Sequence, residues 1–142
     1  MTELRDALMR DLGRAGVDTS ALTLVVRPYS GRYLGRYLFA ESKAYVYACE
    51  DRDGRRPRPY CLLLETAIHE AAHHLMSLCG PVARGETHSG EFWRIYYKYI
   101  GRAEELGLFD PPYRSAVRPF LTRRGGRCTI RRTQERRHAA RT

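Results

Sequence analysis

The sequence predicts an α+β domain, and three observations carry that prediction: an amphipathic first helix, three short β-rich runs separated by turn residues, and two helix-length apolar-periodic segments after residue 59. At 142 residues and 43% hydrophobic, the chain can bury one modest core and has no room for a second. Leu4, Leu8 and Leu12, with Ala7 and Ala15, share one helical face and predict a backing helix that stops near Gly13–Gly16. Leu22–Arg27, Tyr33–Phe39 and Ala44–Cys49 read as strands. The breaks between them, Pro28-Tyr29-Ser30-Gly31 and Glu41-Ser42-Lys43, are turn chemistry suited to a small meander. Residues 51–59 form a polar, proline-interrupted loop that should be exposed. Tyr60–Leu78 then carries a broad apolar stripe through Leu64, Ile68, Ala71, Ala72, Leu75 and Met76, ended by Gly80-Pro81. A second helix opens at His88, with Thr87 or Ser89 as N-cap, Glu91 in the first turn, and Phe92, Ile95, Tyr96, Tyr99 and Ile100 along one face. Beyond Gly107, Tyr113, Val117, Phe120 and Leu121 form a last apolar cluster expected to dock on the domain. The expected organisation is therefore a domain over residues 1–121 and an arginine-rich, disordered tail over 122–142.

The chemistry concentrates in the Tyr60–Leu78 helix, where His69-Glu70-Ala71-Ala72-His73 spells H-E-x-x-H. Residues four apart on a helix project from one face, so His69 and His73 can grip one ion. Neutral imidazoles suit Zn²⁺, and a catalytic zinc takes three protein ligands while keeping a fourth position for water. Glu70 lies about 100° round the helix from His69, near enough to reach that water without coordinating the metal. It is the candidate general base: zinc can lower the pKa of bound water from about 15.7 to near 7, within reach of a carboxylate at neutral pH. An accidental five-residue match on an ordinary helix is the plain alternative. Four of the five histidines, however, fall between positions 69 and 88.

The third ligand must come from elsewhere, and His88 follows His73 after fourteen residues. The intervening Gly80–Glu86 segment, with two glycines and a proline, is long enough to bring the start of the next helix back to the metal. Glu86, Glu91, Glu104 and Glu105 are rival ligands that would make a gluzincin-type site, and an ordinary polar role near a helix cap is the remaining reading of His88.

H-E-x-x-H, fourteen residues, then His88-Ser89-Gly90-Glu91-Phe92 resembles the SprT-like metalloprotease domain, the family that includes the DNA-protein crosslink protease Spartan. The family pattern continues as H-G-x-x-F, whereas here Ser stands at 89 and Gly at 90, with Phe92 in place. Tyr33-Leu34-Gly35-Arg36 and Ala44-Tyr45-Val46-Tyr47 look like the family's glycine-containing strand and its successor. The likeness covers roughly residues 30–102 and rests mainly on 69–93. It implies a zincin-like fold, hydrolysis of peptide bonds, Zn²⁺ on His69, His73 and His88, and Glu70 as catalytic base. Many members carry a zinc ribbon with paired cysteines after the protease domain, and this chain has no C-x-x-C.

In zincins generally an edge strand beside the metal helix takes the substrate as an added strand. Ala44–Cys49 is the candidate for that role, unless it lies inside the sheet with neighbours on both sides. Tyr45, Tyr47, Tyr96, Tyr97 and Tyr99 are candidate oxyanion donors among ten tyrosines, most of which must serve packing. The formal charge is +9, and Arg123, Arg124, Arg127, Arg131, Arg132, Arg136, Arg137 and Arg141 face only Glu135 in the tail. Such a segment can neutralise phosphates and give salt-dependent, sequence-independent DNA contact, or it can be merely a solubilising end. His138 there reads as an unliganded surface histidine. Cys49, Cys61, Cys79 and Cys128 lack disulfide or structural-zinc spacing and read as free thiols. With no secretory signal and no membrane-spanning run, a cytoplasmic location is expected. Two functional classes follow: a zinc metallopeptidase, acting on DNA-associated proteins if the tail binds DNA, or a catalytically silent zincin-fold module that binds nucleic acid or a partner.

Overall fold

The computed structural model describes residues 1–83 and 85–109 and has the α+β architecture. Helix α1 spans Thr2–Arg14, strands β1, β2 and β3 span Thr23–Arg27, Gly35–Leu38 and Lys43–Tyr47, helix α2 spans Tyr60–Leu78 and helix α3 spans Gly90–Glu105. The proposed boundary at 121, the apolar cluster Tyr113–Leu121, the tail arginines, Cys128 and His138 lie outside the described residues.

The sheet is three-stranded, as expected, but it is not a meander. Its order is β1-β3-β2, with β1 parallel to β3 and β2 antiparallel to it. The reason lies at the end of β1, where Ala48 N–H donates to Arg27 O and Cys49 N–H to Pro28 O, each at 2.9 Å. Those bonds extend the parallel pair past the named strands and occupy the side on which a meander would have placed β2. Residues 28–34 instead carry the chain to the far side of β3, their bend held by Ser30 Oγ accepting from Arg32 N–H at 3.1 Å and Tyr33 N–H at 3.0 Å. Ala44–Cys49 is therefore the interior strand, and β2 is an edge.

Helix α2 is the centre of the molecule. Every residue from Leu63 to His74 is buried, polar ones included, which is what a helix enclosed on all sides requires. Helix α1 lies against it through Leu8 and Leu12, strands β2 and β3 through Tyr37, Ala44 and Val46, and α3 through Phe92, Tyr96 and Ile100, all in one continuous core. The Tyr60 hydroxyl ties the first turn of α2 to α1 by donating to Asp11 and to Ala7 O. Helix α3 ends where Gly107, at φ 66°, lets Gly107 N–H return to Glu104 O and Leu108 N–H to Ala103 O, so that Leu108 and Phe109 fold back into the core. The loop over residues 51–59 is largely exposed as predicted, with Asp51 accepting from the Arg55 and Arg56 N–H groups. Arg58 is the exception, being 4% exposed. No helix among the described residues is long and apolar enough to cross a membrane.

Candidate metal centre

His69 and His73 project from consecutive turns of α2, and the segment between α2 and α3 returns the chain so that His88 meets them. One nitrogen from each ring lies within 4.8 Å of the others, close enough to hold a metal ion. His69 Nε2 and His88 Nε2 are 3.2 Å apart. Tetrahedral ligands at about 2.0–2.1 Å from an ion stand roughly 3.3 Å from one another, so this gap, also short enough for a hydrogen bond between the rings, is compatible with two ligands sharing a metal. The donor set also fits in protonation. Burial holds His69 well below the ordinary histidine range, with further lowering by His73 and His88. Burial and then His88 bring His73 down to about 3. Both rings are therefore neutral at physiological pH, the form that ligates.

Phe92 holds the cluster together. Its ring lies 4.4 Å from that of His73, 4.8 Å from that of His88 and 4.9 Å from that of His69, centroid to centroid, and it is fully buried. Trp93 stacks on His88 at 5.9 Å. His88 precedes α3 as a half-buried loop residue whose Nδ1 lies 3.3 Å from Thr87 Oγ1. Ser89 occupies the N-cap position without a capping hydrogen bond from its side chain. The rival acids are not in the cluster. Glu86 is exposed, Glu91 is engaged with Arg94 on the outside of α3, and Glu104 and Glu105 lie at that helix's far end.

Glu70 is 3% exposed, and burial pushes its carboxyl up to about 8. It faces Gly35 on β2: a methyl group there would come within 3.0 Å of Glu70 Oε1 and 2.5 Å of Thr66 Cγ2. The edge strand thus passes directly over the carboxylate because it has no side chain at that position. Farther along, Phe39 is 42% exposed with its ring 5.9 Å from that of His73, and the Tyr37 hydroxyl is 3.0 Å from His74 Nδ1.

Sequence reasoning picked out Gly35 and Phe92 through the resemblance without seeing that one lies against Glu70 and the other under the three rings, and it gave Phe39 no part in the site. For Gly35 the signal was present, a glycine inside a strand pattern, which marks a close backbone approach. The candidate oxyanion donors scatter. Tyr96 donates its hydroxyl to buried Glu65 at 3.0 Å. Tyr45 and Tyr47 alternate with Ala44 and Val46 and so point to the opposite face of the sheet from the core. Tyr99 lies near Gly16 at the end of α1, and Tyr97 is half-buried beside Trp93. Cys49, Cys61 and Cys79 are free thiols, as expected.

Comparison with protein-family models, curated proteins and solved structures gives no match to this chain.

Proposed function

We propose that the chain is a zinc-dependent metallopeptidase of zincin-like fold, with His69, His73 and His88 as ligands and Glu70 as the catalytic base. The observation that carries this reading is the convergence of three imidazole nitrogens within 4.8 Å, two of them from the helix that also holds Glu70 and the third from the loop before α3. A bound zinc ion would supply Lewis acidity to a peptide carbonyl and to the attacking water. The remaining work falls to the chain's own groups. Burial alone keeps Glu70 protonated below about pH 8, and the charge of a bound zinc would favour its carboxylate, which would take a proton from water and return it to the leaving amine. Gly35 leaves the space in which that carboxylate sits. The outer edge of β2, the side away from β3, offers backbone groups to an extended peptide as an added strand, in place of the interior strand Lys43–Tyr47. Phe39, just past the end of that strand and exposed beside His73, offers an apolar surface to such a peptide.

The proposed substrates are proteins associated with DNA, a reading that rests on the arginines between 123 and 141. The test is metal stoichiometry and peptide hydrolysis measured on wild type, Glu70→Gln and His88→Ala. One zinc per chain in wild type and in Glu70→Gln is expected, with weak retention in His88→Ala. Hydrolysis in Glu70→Gln should fall by about 10²–10⁴-fold. Wild-type rates in that variant would remove Glu70 from the mechanism. Failure of the wild type to retain zinc after reconstitution would leave the silent binding module.

A further inference from the structure

The helices cover one face of the sheet. The other face presents the alternate residues of each strand, and it combines aromatic rings with positive charge. Tyr45 and Tyr47 are half-buried on β3, while Arg27 and Arg36 are exposed on the strands to either side. Register places Arg36 beside Tyr45 and Arg27 beside Tyr47, and Lys43 follows on the same face. Strands β1, β2 and β3 contain no acidic residue. At the near end of β2, Arg32 and Arg36 place their guanidinium groups 5.4 and 5.1 Å from the centre of the Tyr33 ring. Glu41 reaches this surface from the turn after β2, where it accepts from the Tyr45 hydroxyl at 3.5 Å and so engages the tip of that ring, not its face. Burial raises the Tyr47 hydroxyl above its ordinary range, while Arg36 and Arg27 act against that rise. These cations and Tyr47 are therefore within electrostatic reach of one another.

We propose that this outward sheet face binds single-stranded nucleic acid, with bases stacking on Tyr45 and Tyr47 and phosphates meeting Arg27, Arg36 and Lys43. A single strand offers both chemistries at once, flat π surfaces and a regular polyanion. A duplex keeps its bases stacked inside, and an acidic peptide has charge but no matching array of rings. The surface is separate from the histidine cluster, which lies on the helical side, so the inference stands whatever reaction the cluster supports. It also differs from contact through the arginines beyond residue 122.

The test uses the full chain and a fluorescein-labelled oligothymidine, with anisotropy followed over a range of salt concentrations. Zinc content and melting temperature, measured on each variant, report the fold. Tyr45→Leu and Tyr47→Leu should each weaken binding about tenfold at unchanged salt slope, while Tyr45→Phe keeps wild-type affinity. The pair Arg27→Gln and Arg36→Gln should flatten the salt slope by about 0.7 for each phosphate no longer neutralised. If a leucine variant does not fold, the arginine pair decides: unchanged affinity and slope there overturn the proposal. So do wild-type affinity in both folded leucine variants, duplex bound as tightly as single strand, polyglutamate displacing the oligonucleotide equally from wild type and Tyr45→Leu, or no binding by wild type at low salt. Wild-type affinity in the sheet variants, with complete loss on changing Arg131, Arg132, Arg136 and Arg137 to Gln, would assign the binding to the tail instead.

Discussion

Gly35 and Glu70 constrain each other. The strand can cross the helix at this height only without a β-carbon, and the carboxylate keeps its position only while the strand stays there. Gly35→Ala should therefore cost about 1–3 kcal/mol of stability through overpacking against Thr66 and the Tyr45 carbonyl. It should also lower peptide hydrolysis while zinc content is unchanged, because the histidines are not displaced. Urea midpoints beside turnover on the same preparations check this, and a variant with wild-type turnover would show that the close approach is unrelated to Glu70. Phe92 supports the opposite side. Phe92→Ala opens a cavity under three rings and is expected to cost about 3–5 kcal/mol, with weaker zinc retention in whatever fraction remains folded. His69, Glu70 and His73 were legible as a group because helical geometry alone links positions that close in sequence. Phe92 was legible as an apolar helix position and as part of the pattern after His88, but not as the residue under all three rings, since which rings a buried side chain touches depends on how two helices pack.

Between elements, the link from Tyr60 to Asp11 joins α1 to α2 across the core, and it carries a pH signature. The phenol is raised far above its ordinary range, first by burial and then by its hydrogen bond to the Asp11 carboxylate. A group whose folded pKa is raised contributes stability in full below its unfolded value, about 10 for tyrosine, and loses it as pH rises beyond that. Wild type should therefore lose stability more steeply than Tyr60→Phe in urea unfolding above pH 10. Near neutrality the variant should cost on the order of 1 kcal/mol, as for loss of one hydrogen bond. Parallel alkaline limbs would mean that the phenol is not the titrating group. Helix α2 matches its sequence bounds, Tyr60 to Leu78, because proline before it and glycine after it punctuate a long apolar run. The strands were legible as strands, but their order was not. Turn residues say where a chain leaves a strand, whereas the side of the sheet to which it returns is set by ladder bonds such as Cys49 N–H to Pro28 O.

For the whole molecule, the three histidines tie α2 to the start of α3, so a ligand held there stabilises the fold in proportion to its affinity and concentration. Zinc present at about 1,000 times its dissociation constant would add roughly 4 kcal/mol. Chelation should lower the melting temperature by several degrees or more, and added zinc should restore it. Trp93, the one tryptophan of the chain, stacks on His88 and should report the same cycle in its emission. A chelated protein with unchanged melting and emission would argue that no metal had been bound. Charge was legible at this scale only as a total. The sequence showed +9 and a run of arginines, but not that Arg27 and Arg36 flank a pair of tyrosines, because strand register creates that neighbourhood.

The order β1-β3-β2 also gives assembly a direction in time. Strands β2 and β3 are joined by a tight turn through Ser42, at φ 53°, and can pair as a hairpin on a scale of about 1–10 μs. Strand β1 must wait for β3 to be made before its register, Thr23 against Lys43, has anything to pair with. Closing that longer loop costs chain entropy before any pairing repays it, and α1, packed on β1, arrives with it. Until β3 is in place, α1 and β1 therefore have only each other, of these elements, to pack against.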